Sequence, residues 1–189
     1  WGYDKGRGCP DNCGWGNNEL QFYTHDRKEN ARVENGHLII EARKEAYADA
    51  QYTSARLVSK NKGDWKYESI EVKAKITAGN GIWPAIWMLG NNLATAGWPA
   101  CGEIDIMEHV GFNPGFIHAT THTKSFNHMI GNQKTDTIIV KDFDTQFHDY
   151  SVIWNKDSVT ILFDNLAYYT FKNNGTGKDA WPFDGPMHL

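Results

Sequence analysis

Hydrophobic and polar side chains alternate with a period of two along most of the chain, which is the pattern of half-buried β-strands. The alternation is clear over residues 38–43 and 70–76 and returns in the second half of the sequence. Further strands are predicted at 116–124, 147–155, 159–163 and 166–172. No stretch shows a sustained helical period, so the chain is expected to be all-β.

Residues that favour turns separate these predicted strands. Gly, Asn and Asp cluster at 34–36, 61–64 and 173–175. Asp164-Asn165 is predicted to be a two-residue hairpin turn, because both residue types tolerate positive φ. Short strands joined by tight turns predict an antiparallel β-sandwich.

The segment 103–108 differs from the other strands because it carries three acids in an apolar strand, reading Glu-Ile-Asp-Ile-Met-Glu. Strict alternation would point Glu103 and Asp105 to one face and Glu108 to the other. One extra residue, most simply Met107 in a β-bulge, would return Glu108 to the face of the other two acids. A solvated strand face usually mixes acids with Lys, Ser or Thr, so three carboxylates on one face indicate chemistry.

Two carboxyl groups flanking one bond are what glycoside hydrolysis requires. Crowding by charged Glu103 and Asp105 is expected to raise the pKa of Glu108 and keep it protonated as the general acid. Glu103 is then the nucleophile that forms a covalent intermediate, and Asp105 orients and tunes it through a hydrogen bond. A retaining pair of this kind is expected to lie about 5–5.5 Å apart.

Aromatic residues offer faces on which sugar rings can stack, and the chain has eight Trp and eight Tyr. In segment 82–89 the period of two places Trp83 and Trp87 on one face, about 13 Å apart along the strand. That distance spans two to three sugar rings, although two core tryptophans remain the alternative. Trp98, just before the acidic strand, is a further candidate for substrate contact.

Charge and cysteine content restrict the partners and the disulfide or metal sites that the chain can have. A net charge of −4 argues against nucleic acid and anionic membranes as partners. No run approaches the roughly 18 apolar residues of a membrane helix. Cys9 and Cys13 flank a turn-rich loop where a short disulfide can form, leaving Cys101 alone; zinc is the lesser alternative because no second ligand cluster is evident.

Several of these segments resemble glycoside hydrolase family 16 in its laminarinase-like form, the endo-β-1,3-glucanases. The resemblance is carried by segments 103–108, 16–21 (Gly-Asn-Asn-Glu-Leu-Gln), 53–56 (Thr-Ser-Ala-Arg), 81–89 (Gly-Ile-Trp-Pro-Ala-Ile-Trp-Met-Leu) and 122–123 (His-Thr). It implies a jelly-roll sandwich of the concanavalin A-like type with a concave substrate cleft. It also implies that residues 1–189 are one catalytic domain, cut at both ends from about 240 residues.

The resemblance assigns expected roles to four further residues. Asn17 and Arg56 match positions that contact the sugars on the glycone side; a turn residue and a surface ion pair are the alternatives. His122 matches a histidine near the acid/base and is therefore preferred to His118. Gly36 matches one backbone ligand of a structural calcium ion, whereas no cofactor is expected in the chemistry.

The expected activity is retaining endo-hydrolysis of β-1,3-glucosidic bonds in laminarin-type glucans, with mixed-linkage β-1,3-1,4-glucan as a further substrate. One alternative is a hydrolase of agarose or carrageenan, but the sequence shows no evident basic patch for a sulfated galactan. Another is a non-catalytic β-glucan-binding protein on the same scaffold, against which the three intact acids argue. We expect a monomer that is secreted or at the cell surface, since polymeric glucan lies outside the cell.

Overall fold

The computed structural model describes all 189 residues, and strands form nearly all of its regular structure. The α-helix Leu93–Ala96 (α1) is one turn long, and two 3-10 turns lie at Cys13–Gly16 and His128–Ile130. The all-β prediction is therefore confirmed. No helix has the length and apolar character needed to cross a membrane. The chain forms two compact units, Trp1–Lys62 (unit 1) and Gly63–Leu189 (unit 2), and the single domain expected from the sequence stays a prediction.

Unit 1 is built from seven short strands: β1 Gly2–Asp4, β2 Phe22–Tyr23, β3 Ala31–Glu34, β4 His37–Ile40, β5 Arg43–Tyr47, β6 Ala50–Ser54 and β7 Arg56–Val58. They form the pairs β1-β7 and β3-β4 and a sheet in the order β2-β6-β5. Asn35 and Gly36 have φ of 51° and 78° and make the predicted turn between β3 and β4. A disulfide joins Cys9 to Cys13, as expected.

Unit 2 contains the other ten strands: β8 Asp64–Trp65, β9 Ser69–Ala74, β10 Ala85–Gly90, β11 Glu103–His109, β12 Phe116–His122, β13 Lys134–Ile139, β14 His148–Trp154, β15 Ser158–Phe163, β16 Leu166–Lys172 and β17 Met187–His188. One sheet has the order β13-β12-β11-β10-β17-β8 and the other β16-β15-β14-β9. Asp164 and Asn165 have φ of 46° and 66° and form the predicted hairpin turn.

The two sheets of unit 2 enclose one hydrophobic core, which confirms the predicted sandwich. From β11 the core receives Ile104, Ile106 and Met107, each at most 1% exposed. The four-stranded sheet contributes Tyr150, Val152, Trp154, Val159 and Ile161, among others. The acidic strand is therefore anchored by its apolar side chains, which fixes the opposite face that carries the carboxyl groups.

Gly111, just after β11, holds the end of the acidic strand against a neighbouring segment. Its N–H donates to the carbonyl of Ile82 at 3.0 Å, and a Cβ at this position would lie 1.8 Å from the carbonyl oxygen of Gly79. Gly111→Ala is therefore expected to lower the free energy of unfolding by about 1–3 kcal/mol, measured by urea denaturation. Gly185→Ala is the matched control, because a Cβ there meets open space. Equal stability of the two variants would contradict this close approach.

Candidate active site

A β-bulge in β11 brings the three acids to one face. Across the β11-β12 ladder Glu103 pairs with His122, Asp105 with Thr120 and Glu108 with His118. Since positions 118, 120 and 122 alternate along β12, their side chains share a face, and so do the acids opposite them. Two residues of β11, 106 and 107, oppose one residue of β12 between the last two pairs. The predicted bulge is confirmed, and the side chains of Ile106 and Met107 both lie in the core.

Glu103 is held by hydrogen-bond donors at the start of the strand. The indole N–H of Trp98 donates to Glu103 Oε2 at 2.8 Å. Asp105 shares a hydrogen bond with the same carboxylate. His122 Nε2 lies 4.0 Å from Glu103 Oε1 and 3.5 Å from Asp105 Oδ2. Donors directed at a carboxylate favour its ionised form, which is the form that a nucleophile needs.

Asp105 is the most buried of the three acids, with 2% of its surface exposed. Its pKa is raised well above the usual range, first by burial and then by the negative charges of Glu103 and Glu108 and by the hydrogen bond with Glu103. Asp105 therefore carries the proton, and its O–H is the donor in the hydrogen bond to Glu103. The role expected from the sequence, orienting and tuning Glu103, stays a prediction.

Glu108 also has a raised pKa, but the cause differs from the one expected. Burial of the carboxyl group raises its pKa, and a hydrogen bond at 2.9 Å from the indole N–H of Trp83 to Oε1 lowers it. Burial is thus the first cause of the raised pKa of Glu108, and the like-charge repulsion expected from the sequence is seen in the raised pKa of Asp105, to which Glu108 contributes. The environments nevertheless differ in the way that an acid and a nucleophile require.

Trp83→Phe is expected to move the pKa of Glu108 further upward, since the substitution removes the donor that favours the carboxylate. The general acid would then stay protonated to higher pH. The alkaline limb of kcat/KM should shift to higher pH, measured from initial rates of glucan hydrolysis across a pH series. A limb that stays in place or moves to lower pH would show that this hydrogen bond does not tune Glu108.

Three aromatic rings cluster beside Glu103. Trp98 lies 5.7 Å from His122 and 4.9 Å from His128 between ring centroids, and the two histidine rings meet edge to face at 5.2 Å. The pKa of His122 is lowered to about 4, chiefly by burial and then by His128, so His122 is neutral in the site at neutral pH. His118 donates to or accepts from Thr137 at 2.9 Å, and burial lowers its pKa as well.

His128 was not among the site residues predicted from the sequence. Its position in the 3-10 turn after β12 brings it to Trp98, a contact between segments 30 residues apart. In the sequence, His128 is visible only as part of an Asn-His pair after a predicted strand. That pattern does not indicate that its ring would contact Trp98. Trp98 was predicted to contact sugar, and the structure in addition places it on Glu103.

Trp83 and Trp87 both lie on the acid side of the sheet. Trp87 is half-buried and pairs with Asp105 across the β10-β11 ladder. Trp83 precedes β10, is 53% exposed and bonds to Glu108. The alternative of two core tryptophans therefore fails for Trp83, and sugar contact by both residues stays a prediction.

The two expected glycone contacts belong to unit 1. Asn17 ends the 3-10 turn Cys13–Gly16 and is exposed. Arg56 opens β7, where its Nε lies 3.0 Å from Asp4 Oδ2 and its guanidinium lies over the Trp15 ring at 4.7 Å. The ion pair is the alternative that the sequence left open for Arg56, and sugar contact by either residue stays a prediction.

The expected calcium ligand, Gly36, lies in the turn between β3 and β4. Glu34 and Glu41 each bind Arg32 at 2.8 Å, and a structural calcium ion at this turn stays a prediction. The ligand atoms of Glu103, Asp105 and His122 lie within 4.8 Å of one another, the separation expected of metal ligands. The proton shared by the two acids accounts for their approach without an ion.

Comparison with known proteins gives consistent matches. The family model described as glycosyl hydrolases family 16 matches residues 18–189. A beta-glucanase from Rhodothermus marinus is 48% identical over 196 residues, covering 100% of this chain and 67% of the relative. The clotting factor G alpha subunit of Tachypleus tridentatus is 38% identical over 96% of this chain, which spans 26% of its length. The crystal structure of the Rhodothermus marinus laminarinase superimposes with a TM-score of 0.94 at 47% identity, covering 100% of this chain and 76% of that one.

Proposed function

Because the chain belongs to glycosyl hydrolases family 16, we propose that it is a retaining endo-hydrolase of β-1,3-glucosidic bonds in laminarin-type glucans. The observation that carries the proposal is the pair Glu103 and Glu108 on one strand face, with Trp98 donating to the first and burial raising the pKa of the second. The names of the two Rhodothermus marinus proteins, a beta-glucanase and a laminarinase, support the choice of substrate.

In the first step Glu103 attacks the anomeric carbon while Glu108 gives its proton to the departing glycosidic oxygen. The bond between that carbon and oxygen breaks, and a covalent glycosyl-enzyme forms with inverted configuration. The protonated Asp105 and the Trp98 N–H hold the attacking carboxylate in one orientation. The leaving chain departs with the proton that Glu108 supplied.

In the second step Glu108, now a carboxylate, removes a proton from water, which attacks the same anomeric carbon. The ester bond to Glu103 breaks and the configuration inverts again, so the product retains the β-configuration. The Trp83 N–H stabilises Glu108 in its charged form between the two steps. His122 is neutral beside the acids and adds no charge to the site.

The proposal extends to features of the whole protein that follow from its substrate. Trp83, Trp87 and Trp98 are proposed to contact sugar rings, and Asn17 and Arg56 to bind hydroxyl groups on the glycone side. The protein is proposed to act as a monomer, secreted or at the cell surface, without a catalytic cofactor. A structural calcium ion with the Gly36 carbonyl as one ligand is part of the proposal.

Release of reducing ends from laminarin, lichenan, agarose and carrageenan tests the proposal. Laminarin should be cleaved internally, so that its size falls early in the reaction, and lichenan reports on mixed-linkage activity. Cleavage of agarose or carrageenan alone would replace the substrate class. Binding to laminarin without any release of reducing ends would indicate a glucan-binding protein.

A further inference from the structure

We propose that His128 is a positioning residue whose ring holds Trp98 in place and so keeps the indole N–H on Glu103. The inference rests on the proposed function, because it assigns His128 a role in the attack by Glu103. The ring of His128 lies against the rings of Trp98 and His122. It therefore acts through Trp98.

The loop that carries His128 is fixed by a network centred on a buried asparagine. Asn127, 4% exposed, donates from Nδ2 to the carbonyls of Thr123 and Lys124 at 3.1 and 3.3 Å. Its Oδ1 accepts from the N–H of Met129 at 3.1 Å, which caps the 3-10 turn. Asn132 Oδ1 accepts from the Asn127 N–H at 3.0 Å. His128, between Asn127 and Met129, is therefore presented at a defined position.

Trp98 has no strand to orient it. It follows the Gly97 cap of α1 and precedes β11, so ring contacts and the bond to Glu103 determine its orientation. His128 lies against it at 4.9 Å with an angle of 36° between the rings, and His122 lies against it at 5.7 Å and 54°. His122 is buried in β12, where the surrounding side chains hold its ring. His128 is exposed, so its ring can be replaced without leaving a cavity in the core.

Loss of the His128 ring should affect the chemical step more than glucan binding. The indole N–H orients the carboxylate that forms the new bond, and misplacement of a reacting group by about 1 Å can cost ~100-fold in rate. Glucan binding is proposed to involve Trp83, Trp87, Asn17 and Arg56 as well as Trp98, so a shift of Trp98 alone should change binding less. A reduced kcat with a nearly unchanged KM is therefore the expected pattern.

A double-mutant cycle separates this role from a general structural one. His128→Ala should lower kcat on laminarin roughly 10-fold with KM changed less than about 3-fold, and Trp98→Phe should lower kcat at least as much. In the Trp98→Phe background, His128→Ala should lower kcat hardly any further, because the hydrogen bond from Trp98 to Glu103 is already absent. His128→Phe keeps an aromatic ring and should restore most of kcat. Met129→Ala, 73% exposed in the same turn, should match the unaltered protein.

The indole N–H of Trp98 gives a readout that needs no turnover. Its proton resonance, assigned by its loss in Trp98→Phe, should lie downfield in the unaltered protein and move towards that of a solvent-exposed indole in His128→Ala. An unmoved resonance, additive losses in the cycle, or failure of His128→Phe to restore kcat would overturn the role of His128. Failure of the proposed function is distinguishable, because the unaltered protein would then cleave no laminarin whatever the resonance does.

Discussion

Glu103→Gln is expected to lower kcat on laminarin by at least ~1,000-fold, because the amide cannot form the glycosyl-enzyme. The size of the side chain is unchanged, and its amide oxygen can still accept the Trp98 N–H. Binding of laminari-oligosaccharides, measured by calorimetry, should therefore stay within a few fold of the unaltered protein. Loss of turnover without loss of binding assigns Glu103 to the chemical step.

Glu71→Gln provides the matched control for this substitution. Glu71 is exposed on β9, in the four-stranded sheet, and its replacement should leave both kcat and binding unchanged. Substantial residual turnover in Glu103→Gln, above that attributable to contaminating unaltered protein, would remove Glu103 from the role of nucleophile.

Glu108→Gln is expected to lower kcat on laminarin by about 100- to 10,000-fold, since the leaving oxygen no longer receives a proton. The fall should be much smaller for formation of the glycosyl-enzyme from an aryl glucoside whose leaving group departs without protonation. The comparison of polysaccharide and aryl glucoside by initial and burst-phase rates measures the role of the acid directly. Equal losses on both substrates would indicate a structural effect instead.

The pH profile supplies a second result for the same variant. Burial raises the pKa of Glu108, so the acid form persists above the usual range and is lost as pH rises through that pKa. The unaltered protein should therefore lose kcat/KM on the alkaline side. Glu108→Gln has no proton to lose and should lack this alkaline limb, while any acid limb from Glu103 should remain. An alkaline limb that persists in the variant would belong to another group.

The sequence predicted the acidic strand well because its constraint is local. Three acids and three apolar residues within 103–108 satisfy both faces of a strand only if one extra residue is accommodated, and the register shows that bulge. The hairpin turn at Asp164-Asn165 was equally local, since it depends on residue types that tolerate positive φ. Patterns of this kind are visible without knowledge of the packing.

What the sequence could not supply depends on contacts between distant segments. The burial that raises the pKa of Glu108 is a property of the folded unit, so crowding along the strand was the only cause that the sequence displayed. Trp83 and Trp98 donate hydrogen bonds to two different acids. Predicting these bonds would require the conformations of the two loops that carry the indoles. The contact of His128 with Trp98 depends on the Asn127 network in the same way.

Retention of configuration through Glu103 and Glu108 is the central claim, and the anomeric form of the first product tests it most directly. Proton NMR during early hydrolysis of a laminari-oligosaccharide, recorded before mutarotation, distinguishes the two anomers at the new reducing end. The expected result is the β-anomer first, followed by slow appearance of the α-anomer. First release of the α-anomer would mean a single displacement by water and would contradict the role of Glu103 as nucleophile.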